Sequence, residues 1–139
     1  MNTNTPTIPI TGQRRVASQK LRLLIVDDEP TILFAYQKLF EREGYLVDLC
    51  ETPEQSMKMI LERSYHAVIS DLRFGGIDNE DGVKLLVFIR ERRPKIKLIL
   101  VTGNAGTFRK QTCQSLGIEH FYEKPVQPEL LLNALQDTT

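Results

Sequence analysis

Hydrophobic and polar positions along this chain fall into blocks that switch between two periods. Leu21, Leu23, Leu24, Ile25 and Val26 form a short apolar run halted by Asp27-Asp28-Glu29-Pro30. Its length and flanks predict a buried strand. Pro30 suits the first turn of a helix. Ile32, Leu33, Tyr36, Leu39 and Phe40 then recur at helical spacing until Gly44 ends the segment. Residues 45–50 read as a second strand. Thr52, with Gln55 three positions on, has the spacing of a capping box, ahead of a helix whose apolar side is Met57, Ile60 and Leu61.

The same alternation continues to the end. Ala67-Val68-Ile69 is strand-like and stops at Ser70-Asp71, and a polar, glycine-bearing loop follows to Asp81. Val83, Leu85, Leu86 and Ile89 form a helix face that ends before Pro94. Residues 96–101 make a fourth strand, 108–116 a weaker helix closed by Gly117, and 118–123 a fifth strand. Pro128 opens a last helix carrying Leu131, Ala134 and Leu135. Five strand–helix units in succession require parallel strands joined by right-handed crossovers. The continuously apolar strands fit a sheet covered on both faces, so the expected architecture is a doubly wound α/β domain over about residues 20–137.

Composition narrows the class. At 139 residues the chain has the length of one domain. With 41% hydrophobic residues and no net charge it does not have the composition of a disordered chain. No apolar run approaches the length of a membrane span. Arg14, Arg15 and Lys20, with no acid among them, make the first twenty residues net positive by three and leave the rest net negative by three. The leader lacks the apolar stretch of a signal peptide and is expected to be a flexible polar arm, residues 1–20. The mildly acidic remainder argues against direct nucleic-acid binding by the domain. Cys50 and Cys113 form no metal pattern and are expected to be small apolar fillers in a reducing, cytoplasmic setting.

Ligands of open α/β sheets gather at the carboxyl ends of the strands. There the pattern delivers Asp27 and Asp28 from the first strand, Asp71 from the third, Thr102 from the fourth and Lys124 from the fifth. Three close carboxylates repel one another unless a counter-ion intervenes. An all-oxygen ligand set suits Mg²⁺. A carboxylate beside such a metal can act as a phosphoryl acceptor, with Lys124 and Thr102 available to the phosphoryl oxygens.

These residues resemble the receiver domain of two-component response regulators, and among them the chemotaxis regulators. The matching stretches are LLIVDDEP, VISD, LVTG and FYEKP, and the likeness spans about residues 21–137. The resemblance implies a flavodoxin-like three-layer (βα)5 fold with strand order 2-1-3-4-5 and five helices. It implies that Asp71 accepts a phosphoryl group from a sensor histidine kinase or phosphotransfer protein. It implies that Asp27, Asp28, Asp71 and the backbone carbonyl of Arg73 hold Mg²⁺, and that Lys124 contacts the phosphoryl group beside a cis Lys124-Pro125 bond. Thr102 and Phe121 map to the switch pair. The output is then a downstream protein target reached through the face of the fourth helix, fifth strand and fifth helix. Such a chain is a phosphoacceptor switch rather than an enzyme on other substrates. It is expected to be free of membrane and of direct nucleic-acid contact, and monomeric or weakly dimeric on phosphorylation.

Two features depart from the pattern. Gly82 lies eleven residues after Asp71, through LRFGGIDNED, where the family usually needs about eight and includes a proline. The positions of Asp78, Asp81 and Gly82 do not keep the spacing of a calcium loop, so 72–81 is expected to be a solvated loop. Arg73 and Asn104 flank the pocket in the resemblance and are expected to govern water access to it. The last helix also stops near Asp137, which fits either a single-domain regulator or the receiver piece of a longer regulator or kinase. A haloacid-dehalogenase-type phosphatase would need DxD on the first strand, and a flavin or nucleotide binder a glycine-rich phosphate loop. Asp27-Asp28-Glu29 supplies neither. Neither His66 nor His120 is required by the chemistry, and they are expected at the edge of the core and at the surface.

Overall fold

The computed structural model describes residues 20–71, 80–103, 114–118 and 120–137. The N-terminal arm before Lys20, most of the long loop, Arg73, Asn104, Cys113 and nearly all of the predicted fourth helix lie outside the described residues. In chain order the elements are β1 (Arg22–Val26), α1 (Pro30–Arg42), β2 (Leu46–Cys50), α2 (Pro53–Glu62), β3 (Ala67–Ser70), α3 (Glu80–Arg92), β4 (Lys97–Thr102), β5 (His120–Glu123) and α4 (Pro128–Gln136). Gln114 and Ser115 are helical and precede Gly117, as the end of the weaker predicted helix requires.

All five strands are parallel and ordered β2-β1-β3-β4-β5. The period of two sorts each strand between the faces. Leu24, Val26, Val68, Leu98 and Leu100 enter one core layer with Ile60 of α2 and Leu85, Leu86 and Ile89 of α3. Leu23, Ile25, Ala67, Ile69, Ile99 and Val101 enter the other with Leu33 and Phe40 of α1 and Leu131, Ala134 and Leu135 of α4. The sheet is thus buried on both sides, which is why its strands read as unbroken apolar runs.

The predicted turns are made by the residues singled out for them. Gly44 takes φ 98° and Gly117 φ 69°, a left-handed backbone that a side chain would strain. Thr52 Oγ1 accepts from the Gln55 amide at 3.2 Å. The reciprocal arm of the box closes one residue early: Gln55 Oε1 lies 3.5 Å from the amide of Glu51, not that of Thr52. Helix α3 starts at Glu80, three residues before the predicted apolar face, and carries Gly82 within it. A first helical turn needs no apolar contact, so periodicity does not register it. Among the described residues no helix is long and apolar enough to cross a membrane.

Candidate functional site

The direction of winding reverses at β1, which pairs with both β2 and β3. The register Val26↔Ser70 sets Asp27 and Asp71 side by side just past the strand ends. The backbone fixes both. The Asp27 amide donates to Cys50 O at 3.1 Å and the Asp71 amide to Val26 O at 3.1 Å, so the parallel ladder runs on into the site. Asp27 Oδ1 accepts the amide of Glu29 at 2.9 Å, an Asx turn that swings the chain into α1.

Asp27 and Asp71 are buried, at 4% and 7% exposure, while Asp28 is exposed. Lys124 follows β5 directly and points its ammonium between them: Nζ lies 3.0 Å from Asp71 Oδ2 and 3.1 Å from Asp27 Oδ2. Burial pulls the ammonium's pKa down. Hydrogen bonds to Asp71 and Asp27 outweigh burial and hold it above its ordinary value. Burial pushes the Asp27 carboxyl up, opposed by the Glu29 amide and by Lys124. One carboxylate oxygen from each of Asp27, Asp28 and Asp71 falls within 4.8 Å of the others. Three hard oxygen donors, two of them buried and one open to solvent, suit a Mg²⁺ that keeps part of its water shell.

Thr102 closes β4 opposite Glu123, at the same edge of the sheet as Lys124. Phe121 pairs with Leu100, is half-buried and packs against the α2–α3 core layer. The Lys124-Pro125 peptide is cis. Arg73 and Asn104 lie outside the described residues.

Sequence reasoning passed over Glu29 and Tyr36. Glu29 Oε1 is 3.5 Å from Lys124 Nζ, making it a third carboxylate on that ammonium. The signal for it was its place two residues after Asp27, where an Asx turn delivers it. Tyr36 lies on the apolar side of α1. Its hydroxyl pKa is raised by burial, and it also feels the charges of Lys124, Asp27 and Asp71. Two expectations need correction. Cys50 is buried, but its Sγ sits among oxygens, 3.1 Å from Thr52 O and from Ser56 Oγ, because the cap of α2 folds over it. His120 is not a plain surface residue. It stacks on Tyr122, and its Nε2 is 3.5 Å from Asp137 Oδ2, because the last turn of α4 lies against the first residues of β4 and β5.

Residues 23–136 match the family model of the response regulator receiver domain. Among curated proteins the chain is similar to the transcriptional regulatory protein DltR of Streptococcus agalactiae, 30% identical over 112 residues, covering 81% of this chain and 49% of the relative. It is also similar to the transcriptional regulatory protein GlrR of Escherichia coli, 30% identical over 115 residues, covering 83% of this chain and 25% of the relative. The chain therefore spans half or less of the length of these relatives. Among solved structures it is similar to a CheY-like response regulator receiver domain protein of Methanospirillum hungatei, with TM-score 0.78, 30% identity, and 85% and 92% of the two chains covered. The chain belongs to the response regulator receiver domain family.

Proposed function

We propose that this chain is the phosphoacceptor switch of a two-component phosphorelay, with Asp71 as the acceptor. The observation that carries the reading is the Lys124 ammonium bridging Asp71 and Asp27 in a cluster of three carboxylates. A carboxylate oxygen of Asp71 attacks the phosphorus of a phosphohistidine. The bond from phosphorus to the imidazole nitrogen of the sensor kinase or phosphotransfer protein breaks, and the nitrogen keeps the electron pair. The product is an acyl phosphate on Asp71.

Asp27, Asp28, Asp71 and the carbonyl of Arg73 would hold Mg²⁺, which supplies counter-charge to the phosphoryl oxygens. Lys124 holds the acceptor carboxylate in place and offers its protons to a phosphoryl oxygen. Thr102 hydrogen-bonds another, and Phe121 changes its packing in response. The protein acts on itself and turns over no other substrate. Residues 21–137 form the switch, and the expected polar arm, residues 1–20, lies outside the described residues except for Lys20. The setting is the cytoplasm.

The names of the relatives favour a particular output. DltR and GlrR are called transcriptional regulatory proteins and are longer than this chain. We propose that this receiver likewise controls transcription, through a further segment or a partner on the face around β5. The expected absence of nucleic-acid contact is then a property of residues 21–137 only.

The test is incubation with acetyl phosphate and Mg²⁺ followed by intact mass measurement. A labile phosphate adduct is expected in the parent and not in Asp71→Asn. An adduct that persists in Asp71→Asn overturns the assignment.

A further inference from the structure

The three strands that deliver Asp71, Thr102 and Lys124 at one edge begin, at the other, with His66, Lys97 and His120. His66 immediately precedes β3, and Lys97 and His120 are the first residues of β4 and β5. All three reach the C-terminal turn of α4. Lys97 Nζ donates to Ala134 O at 2.7 Å, to Leu135 O at 3.5 Å and to Asp137 O. His66 Nε2 lies 3.2 Å from Leu135 O, and His120 Nε2 lies 3.5 Å from Asp137 Oδ2. The last carbonyls of a helix lack intrahelical donors and carry the negative end of its dipole, so cations and N–H groups suit them. Arg90 of α3 makes a comparable contact at the turn that follows helical Gln114-Ser115, where its Nε donates to Leu116 O at 3.0 Å, while its NH1 donates to Ile96 O at 3.0 Å just ahead of β4.

The grip is adjustable. An ammonium on a four-carbon stem carries three rotatable donors, and here it is shared among three carbonyls. Rotation of the ammonium about its stem can redistribute those bonds among the three carbonyls. β3, β4 and β5 are short and paired in parallel register, so each of these strands joins the latch end of the sheet to the carboxylate end directly.

We propose that His66, Lys97 and His120 form a latch on the last turn of α4, with Lys97 as the principal positioning residue. Its grip changes with the phosphorylation state of the pocket at the opposite ends of the same three strands. The latch rests on the phosphoacceptor reading and adds to it a mechanical route to the end of α4.

Hydrogen exchange followed by mass spectrometry tests this on the full chain, free and with beryllofluoride and Mg²⁺ standing in for the phosphoryl group. Fluorine NMR reports in parallel whether the mimic is bound. With the mimic bound, amide exchange in residues 131–137 is expected to differ from the free state by about threefold or more. In Lys97→Met the difference is expected to vanish. His120→Phe, which keeps a ring beside Tyr122 and loses the contact to Asp137, is expected to reduce it. Bound mimic with no change in the parent overturns the latch and leaves the phosphoacceptor reading intact. So does a difference that survives in Lys97→Met, because a merely structural cap alters both states equally. Absence of a bound-fluorine signal overturns the pocket reading and the latch with it.

Discussion

Lys124 and Asp71 stand 53 residues apart in the chain and 3.0 Å apart in the fold. The same ammonium reaches Asp27, so one cation offsets two buried carboxylates. Removing it by Lys124→Met leaves both without that counter-charge, and breaking a buried pair in this way costs on the order of 3 kcal/mol. Urea unfolding in a chelating buffer is expected to show a loss of that size. A divalent cation supplies substitute positive charge, so Mg²⁺ is expected to stabilise the variant more than the parent. An equal loss with and without Mg²⁺ contradicts the idea that metal and ammonium serve the same carboxylates.

Alkaline pH provides a second test, away from the pocket. Tyr65 is buried, and its hydroxyl donates to Asp48 Oδ2 at 2.7 Å. Burial and then the bond to Asp48 raise its pKa above the ordinary 10.0. The folded state therefore keeps a proton that the unfolded state releases. The stability this supplies is fully present below pH 10 and is lost as pH rises toward the folded value. Tyr36, Tyr45 and Tyr122 are shifted in the same direction, each chiefly by burial. Ultraviolet titration is expected to show tyrosinate appearing late and together with unfolding. Tyr65→Phe should flatten the decline of stability above pH 10. An unchanged slope in that variant removes Tyr65 from the account.

The strand ends were the legible part of this protein. An apolar run stopped by Asp27-Asp28 and another stopped by Ser70-Asp71 locate the two carboxylates, and parallel pairing then places them together. Geometry that depends on a turn was harder to read. Glu29 arrives at Lys124 only through the Asx turn of Asp27, and His120 meets Asp137 only because the last turn of α4 ends against the first residues of β4 and β5. Hydrophobic periodicity carries no information about either contact. It also misplaced the start of α3, whose first turn has no apolar face.

The cap of α2 is a local stability test. Thr52 Oγ1 satisfies the Gln55 amide, one of the helix's unpaired donors. Thr52→Ala is expected to cost about 1 kcal/mol in urea unfolding, with an unchanged denaturant slope. Phosphate adduct formation at Asp71 should persist, because the Asp27 amide bonds the Cys50 carbonyl, a backbone group that the substitution leaves in place. A loss of adduct in this variant indicates that the cap holds the floor of the site as well as the helix.

Phe121 offers a direct readout of switching. The chain contains no tryptophan, so Phe121→Trp introduces a single fluorophore at the residue paired with Leu100 in β5. The side chain is half-buried against the α2–α3 core layer, which leaves room on its solvent side for the larger ring. If Thr102 and the aromatic move together, binding of beryllofluoride with Mg²⁺ shifts the emission maximum as the indole exchanges water for core contacts. The same titration in Thr102→Ala should leave the emission where it began, although the mimic still binds at Asp71. An emission shift of equal size in both proteins separates Phe121 from Thr102 and ends the paired-switch reading. The absence of any shift in Phe121→Trp, with bound mimic verified by fluorine NMR, shows that the aromatic is a fixed part of the core.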